Sequence, residues 1–170
     1  FQHTRRPLYG EVLRRTLAYV FRELSGPQGG FCCGQDADSD GVEGKYYTLT
    51  PGELVPVLGK VEAERFCRWY GVTPAGNFEG KSIPNLLGQE KFDREPEGMA
   101  ALREMVYAYR LGRTALHRDD KVLTAWNGLM LAALARAGLV LNEPEYLDAA
   151  RQTVDFLETH LTTSHGRLLA

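Results

Sequence analysis

The chain has 170 residues, of which 44% are hydrophobic and 25% charged, with a formal net charge of −2. That length suits one domain able to bury roughly 68–70% of its unfolded surface, and a charge so near zero offers no long-range attraction to nucleic acid or an anionic membrane. No apolar run approaches the roughly 18 residues of a membrane span, and Phe1-Gln2-His3-Thr4-Arg5-Arg6 has no signal-peptide form.

The first helix carries Leu8, Tyr9, Val12, Leu13, Thr16, Leu17, Val20, Phe21 and Leu24 on one face, with charged residues opposite. Pro7 suits its first turn, and Gly26-Pro27 ends it. A Gly-rich irregular stretch follows to residue 50, with short strands expected at Gly30–Cys33 and Lys45–Leu49. Cys32 and Cys33 fall here; with Cys67 they make an odd count without ligand spacing. They are expected to be reduced packing residues in a reducing cytoplasm, with neither structural zinc nor a cofactor implied. A first residue of Phe suggests an excised piece.

Thr50-Pro51-Gly52-Glu53 is a capping-box pattern with Pro at the first helical position. It predicts a short helix limited by Pro56 and Gly59, then another from about Glu62 to Tyr70 with Ala63, Phe66, Cys67 and Tyr70 inward. Gly76 to Asn85 reads as an extended loop. A helix from about Pro96 to Leu111 places Met99, Leu102, Met105, Val106 and Tyr109 on its buried stripe. The run from Thr124 to Leu141 is apolar nearly all round, Arg136 being its only charge, and so predicts the most buried helix. Pro144 to Leu161 is amphipathic again, and Gly166-Arg167-Leu168-Leu169 could open a strand. Helices in pairs, one deeply buried and one half-exposed, with long polar loops, suit an α/α toroid better than a simple bundle.

Two polar clusters stand out: Gln35-Asp36-Ala37-Asp38-Ser39-Asp40-Gly41-Val42-Glu43-Gly44-Lys45-Tyr46-Tyr47 and Asp119-Asp120-Lys121-Val122-Leu123-Thr124-Ala125-Trp126-Asn127-Gly128-Leu129-Met130. Asp36, Asp38, Asp40 and Gly41 match the opening of a calcium loop, but its twelfth position holds Tyr47 where a bidentate glutamate is needed. Three readings stay open there: a structural calcium site, polar turn residues bonding locally, or carboxylates lining a pocket. Adjacent Asp119 and Asp120 need balancing by Lys121, Arg118 or a helix N-terminus. Thr124 is the expected N-cap of the helix that follows. Trp126 can stack on a sugar's apolar face, with Asn127 reading hydroxyls; alternatively Trp126 is core and the aspartates cap the helix. Gly76-Asn77-Phe78-Glu79-Gly80 could bring Asn77 and Glu79 to the same mouth. None of the four histidines has triad or ligand spacing, and only His117 lies near a polar cluster.

These three blocks together, in this order, resemble the YyaL family of spermatogenesis-associated thioredoxin-like proteins, over about Tyr9 to Leu168. The resemblance implies a larger parent, with a thioredoxin-like domain ahead of a six-hairpin α/α toroid similar to N-acylglucosamine 2-epimerases and six-hairpin glycosidases. Residues 1–170 would then be a segment of one toroid domain, mainly α, with short strands in long loops. The family tends to place a proline shortly before the Asp-Asp-Lys block, where this chain has Leu116. Thioredoxin-type cysteines are absent, and the epimerases' catalytic histidines find no match, so neither activity carries over.

The combined expectation is a segment binding or processing a carbohydrate, the alternative being a non-catalytic scaffold or partner-binding module. A hydrolase would use Asp36, Asp38, Asp119 or Asp120 as general acid and another as base or nucleophile, with carboxyls about 5–5.5 Å apart for retention or about 6.5–9.5 Å for inversion. Lys45, Tyr47, Asn77, Glu79, Lys121, Trp126 and Asn127 would position the sugar. Neither nucleic acid nor membrane is an expected partner; self-association through uncovered toroid flanks is.

Overall fold

A computed structural model describes residues 1–169. The fold is mainly helical: α1 (Pro7–Tyr19), α2 (Pro51–Leu58), α3 (Lys60–Tyr70), α4 (Met99–Arg113), α5 (Thr124–Leu141) and α6 (Pro144–His160). Four two-residue strands accompany them: β1 (Gly34–Gln35), β2 (Asp38–Ser39), β3 (Val42–Glu43) and β4 (Arg118–Asp119). Two compact units form, one of Phe1–Gln35 with the segment from Arg118 onward, the other Asp36–His117.

In the first unit Pro7 opens α1, and a five-residue π-helical turn, Val20–Leu24, completes the run that the periodicity predicts. Such a turn is wider than α-helix and is seldom kept without a local reason. The α5–α6 pair is a tight hairpin. Asn142 ends α5 in the left-handed conformation, with φ 57°, and Pro144 starts α6 two residues later. The Glu143 amide donates back to the Gly138 carbonyl at 3.1 Å, and Arg14 of α1 holds the Glu143 carboxylate at 2.6 Å. The unit's core joins Leu17, Val20, Phe31, Leu134, Ala137, Tyr146 and Ala150. The strand expected at Gly30–Cys33 reduces to a bridge between Ser25 and Phe31, with β1 beginning one residue later.

The second unit begins with the β2–β3 hairpin, in which Asp38 faces Glu43 and Ser39 faces Val42. Thr50 and Glu53 form the full capping box of α2, as their spacing predicts. Pro56 sits within α2 instead of limiting it; the stop comes from Gly59, at φ 78°. Gly71 ends α3 in the left-handed conformation. α4 starts at Met99, three residues later than expected, and leaves Met105 exposed. Leu49, Leu54, Leu58, Ala63, Phe66, Val72, Met99, Leu102 and Val106 form the core. Burial pushes the Cys67 thiol above its ordinary pKa, which suits a packing residue.

The largest departure is α5, expected to be the most buried helix. Asn127, Leu134, Ala137 and Gly138 are buried, whereas Trp126 is 54% exposed, Leu129 72% and Leu139 74%. Within the first unit, α6 and α1 cover one side of α5, and the other side faces outward. By length and composition alone α5 is long and apolar enough to cross a membrane, with 18 residues and a mean hydropathy of 1.3, which corrects the expectation that no apolar run approaches that length. Its buried Asn127 and its packing on two amphipathic helices build it into the unit.

Gly30 marks a close approach. A Cβ there would lie 2.5 Å from the nearest ring carbon of buried Phe156. Gly30→Ala should therefore lower stability by about 1–3 kcal/mol in urea unfolding. Gly34→Ala, with open space around its added methyl, should change it by less than about 0.5 kcal/mol.

Candidate functional site

The β1–β4 ladder is where chain-distant polar residues meet in the first unit. Gly34 pairs with Asp119 and Gln35 with Arg118, so the first residue of one polar cluster sits beside the start of the other. The Cys33 amide extends the contact by donating to the Lys121 carbonyl at 2.9 Å. Gln35 is held by the Tyr19 hydroxyl, 2.9 Å from its Oε1, and donates through Nε2 to Glu23 Oε2 at 3.3 Å. Glu23 lies on the π-helical turn and also takes a hydrogen bond from Arg22 at 2.8 Å. Tyr19 and Glu23 were not among the residues singled out from sequence. Nothing in the one-dimensional pattern distinguishes a π-turn carboxylate from any other charge on an amphipathic helix.

In the second cluster, Asp119 accepts from the Lys121 amide at 3.3 Å and pairs with its Nζ at 3.1 Å. That hydrogen bond and charge raise the Lys121 pKa. Arg118 donates to the Ser25 carbonyl at 3.1 Å, so it holds a loop and Asp119 is left to Lys121. Asp120, Lys121 and Trp126 are exposed. Thr124 does not cap α5: Leu123 takes the cap position without a side-chain bond, and the Thr124 hydroxyl donates to the Leu169 carbonyl at 2.6 Å.

Asn127 is 1% exposed. Its Oδ1 accepts the Phe31 amide at 2.8 Å, and its Nδ2 donates to the Phe31 and Leu123 carbonyls at 3.0 Å each. The amide thus mimics a strand partner for a loop residue that has none on that side. This explains a polar residue in the first turns of an otherwise apolar helix.

In the second unit, Asp36 folds back so that its Oδ1 accepts the Asp38 amide at 3.1 Å, while its own amide donates to the His117 carbonyl at 2.8 Å. Asp36, Asp38 and His117 are exposed. Asp40 takes hydrogen bonds from Lys45 at 2.7 Å and Thr114 at 2.8 Å, and these lower its pKa. The three aspartates therefore diverge, and among the described residues no three His, Cys, Asp or Glu side chains form a group able to hold a metal ion. Tyr47 packs edge-on against Tyr46, with ring centroids 5.1 Å apart.

Arg113, at the end of α4, closes this loop. It donates to the carbonyls of Lys45, Tyr46 and Thr48 and pairs with Glu53 at 3.1 Å. Burial alone would raise the Glu53 pKa, but the Thr50 hydroxyl and amide and the charge of Arg113 bring it below its ordinary value. The Gly76–Gly80 block is a tight turn. The Asn77 side chain accepts from the Ile83 amide at 2.7 Å and donates to its carbonyl at 3.0 Å, while exposed Glu79 sits at the tip with φ 47°. A Cβ on Gly76 would lie 2.2 Å from the Lys81 carbonyl oxygen, so glycine is required there.

One cavity of about 530 Å³ lies in the first unit, between the loop at Ser25–Gly29 and α6, floored by Phe21, Phe31 and Phe156 and rimmed by Gln152, Asp155 and His160. It includes none of the candidate catalytic or sugar-positioning residues.

These features define a mainly helical segment with a few short two-stranded ladders. No family model matches the chain. It is homologous over its whole length to a segment of spermatogenesis-associated protein 20: 32% identity to the human protein over 204 aligned residues, covering 99% of this chain and 26% of the relative. The mouse protein matches at the same identity over 203 residues, again 26% of its length. An uncharacterized protein of Caenorhabditis elegans is 26% identical over 168 residues, 80% of this chain and 23% of that protein. The chain thus spans about a quarter of the length of the curated relatives it matches.

Because the folded Glu53 pKa lies below its ordinary 4.5, its contribution is complete above the unfolded carboxyl range and fades as pH falls through the folded value. Glu53→Gln should lose about 1–2 kcal/mol at neutral pH, partial exposure tempering the effect. Urea titrations of both proteins should converge as pH drops below 4.5; a difference constant with pH would remove Glu53 from this role.

Proposed function

We propose that residues 1–170 are one sector of a ring of helical hairpins, an α/α toroid, with α5 as an inner helix and its loop end contributing to a carbohydrate site. The carrying observation is the uncovered face of α5. Ala125, Leu129, Ala132, Arg136 and Leu139 are all exposed and recur at spacings of four and three, the pattern by which a helix meets another helix. Alanines at 125 and 132 would let a neighbour approach closely. The much longer relatives have polypeptide for such neighbours, and their homology supports a segment of a larger protein.

For the loop end, the support is the exposed Trp126 ring on the first turn of α5, following the exposed Asp120 and Lys121 in sequence. An aromatic face with polar groups near it suits a sugar, whose ring has an apolar side and a hydroxyl edge. A glycosidase would also need a carboxyl sheltered from water as its acid. Asp36, Asp38 and Asp120 are exposed, so the geometry favours binding over hydrolysis. The scaffold reading has its own support: Asn77, Asn127, Arg113 and Asp40 all hold loops.

Two measurements separate these readings. The 170-residue chain should self-associate with concentration in sedimentation velocity, and Leu129→Lys with Leu139→Lys should weaken that at least about tenfold. A monodisperse monomer would contradict an inner-helix role for α5. Separately, the full-length protein is melted with monosaccharides, disaccharides and N-acyl sugars. Stabilisation by one sugar class, lost in Trp126→Ala or Asp120→Asn, is the expected result; a flat response to every sugar leaves the scaffold reading.

A further inference from the structure

We infer that Arg110 and the tyrosines around it, in the Asp36–His117 unit, form a binding site for the oxyanion group, carboxylate or phosphate, of a small ligand. The guanidinium carbon of Arg110 lies 4.5 Å from the centre of the Tyr46 ring, 5.3 Å from Tyr107 and 5.7 Å from Tyr47. Two nearby cations already have carboxylates: Arg113 pairs with Glu53 at 3.1 Å and Lys45 with Asp40 at 2.7 Å. Arg110 has none. No hydrogen bond or ion pair engages it among the described residues, and its Nε is buried without an acceptor.

A guanidinium carries five N–H donors and no acceptor, and it cannot discharge by losing a proton. Ring faces attract its charge but accept none of its in-plane N–H bonds in good geometry. The plane of the fork remains to be filled, and planar or tetrahedral oxyanions fill it with two parallel bonds. The site is also held in place before any ligand arrives. Arg113 fixes the Lys45, Tyr46 and Thr48 carbonyls, and so fixes the tyrosine pair against which Arg110 lies. Tyr107 stands one helical turn before Arg110 on α4. Partial burial excludes much of the competing water, so an anion would meet a preorganised cation in a less polar setting than bulk solvent.

This reading does not depend on the toroid or on a sugar at α5, and its test is separate. The full-length protein is titrated calorimetrically with inorganic phosphate and with acetate, each in a constant chloride background. The expected result is saturable binding of at least one anion, abolished in Arg110→Gln and weakened at least tenfold in Arg110→Lys, which keeps the charge but loses the planar fork. Circular dichroism and melting check that both variants fold. Preference for phosphate or for acetate identifies the group recognised. No saturable heat from either anion, or affinities equal in wild type and Arg110→Lys, would overturn the proposal and leave Arg110 as a packing cation on three tyrosines.

Discussion

The first unit depends on the clasp between Asn127 and the backbone of Phe31. A Gly-rich loop can turn tightly, but a loop residue whose ring enters a core takes its own N–H and C=O out of water with it. Phe31 is such a residue, and a side-chain amide accepts through its oxygen and donates through its nitrogen at once. With Phe31 held, the Cys32 amide reaches the Leu24 carbonyl and the Cys33 amide reaches Lys121. The chain is then in register for β1 to meet β4. The polar cluster around Asp119 owes its position to an amide one helical turn into α5.

The second unit solves the same problem with a cation. Arg113 gathers three loop carbonyls and balances its charge on Glu53, whose other partners form the cap of α2. Polar residues that look from sequence like site chemistry therefore divide by what they hold and not by exposure. Asn77, Asn127 and Asp40 hold loops, although Asn77 and Asp40 are exposed, whereas Asp38, Asp120 and Trp126 face water. Long loops without regular partners need such closures in proportion to the backbone they bury.

Local grammar made much of the fold legible. Thr50-Pro51-Gly52-Glu53 gave the start of α2, and Thr124 to Leu141 gave the bounds of α5, because caps and apolar runs act over a few residues. Periodicity tells that a helix needs cover, not whether the cover lies in the same chain, which is why α5 read as buried and is half open. Tertiary partners were less legible. The targets of Arg113 lie sixty or more residues away, and two-residue ladders such as β1–β4 have too little alternation to register as strands. Arg110 escaped notice because its significance is a missing partner, which only three dimensions reveal.

The most direct test is Asn127→Ala, read by urea unfolding and by amide hydrogen exchange at Phe31. Removing one buried side chain that makes three hydrogen bonds should cost about 2–4 kcal/mol, and the Phe31 amide should lose its protection while those within α6 keep theirs. A loss below about 0.5 kcal/mol with Phe31 still protected would show that the loop is held by something other than this clasp.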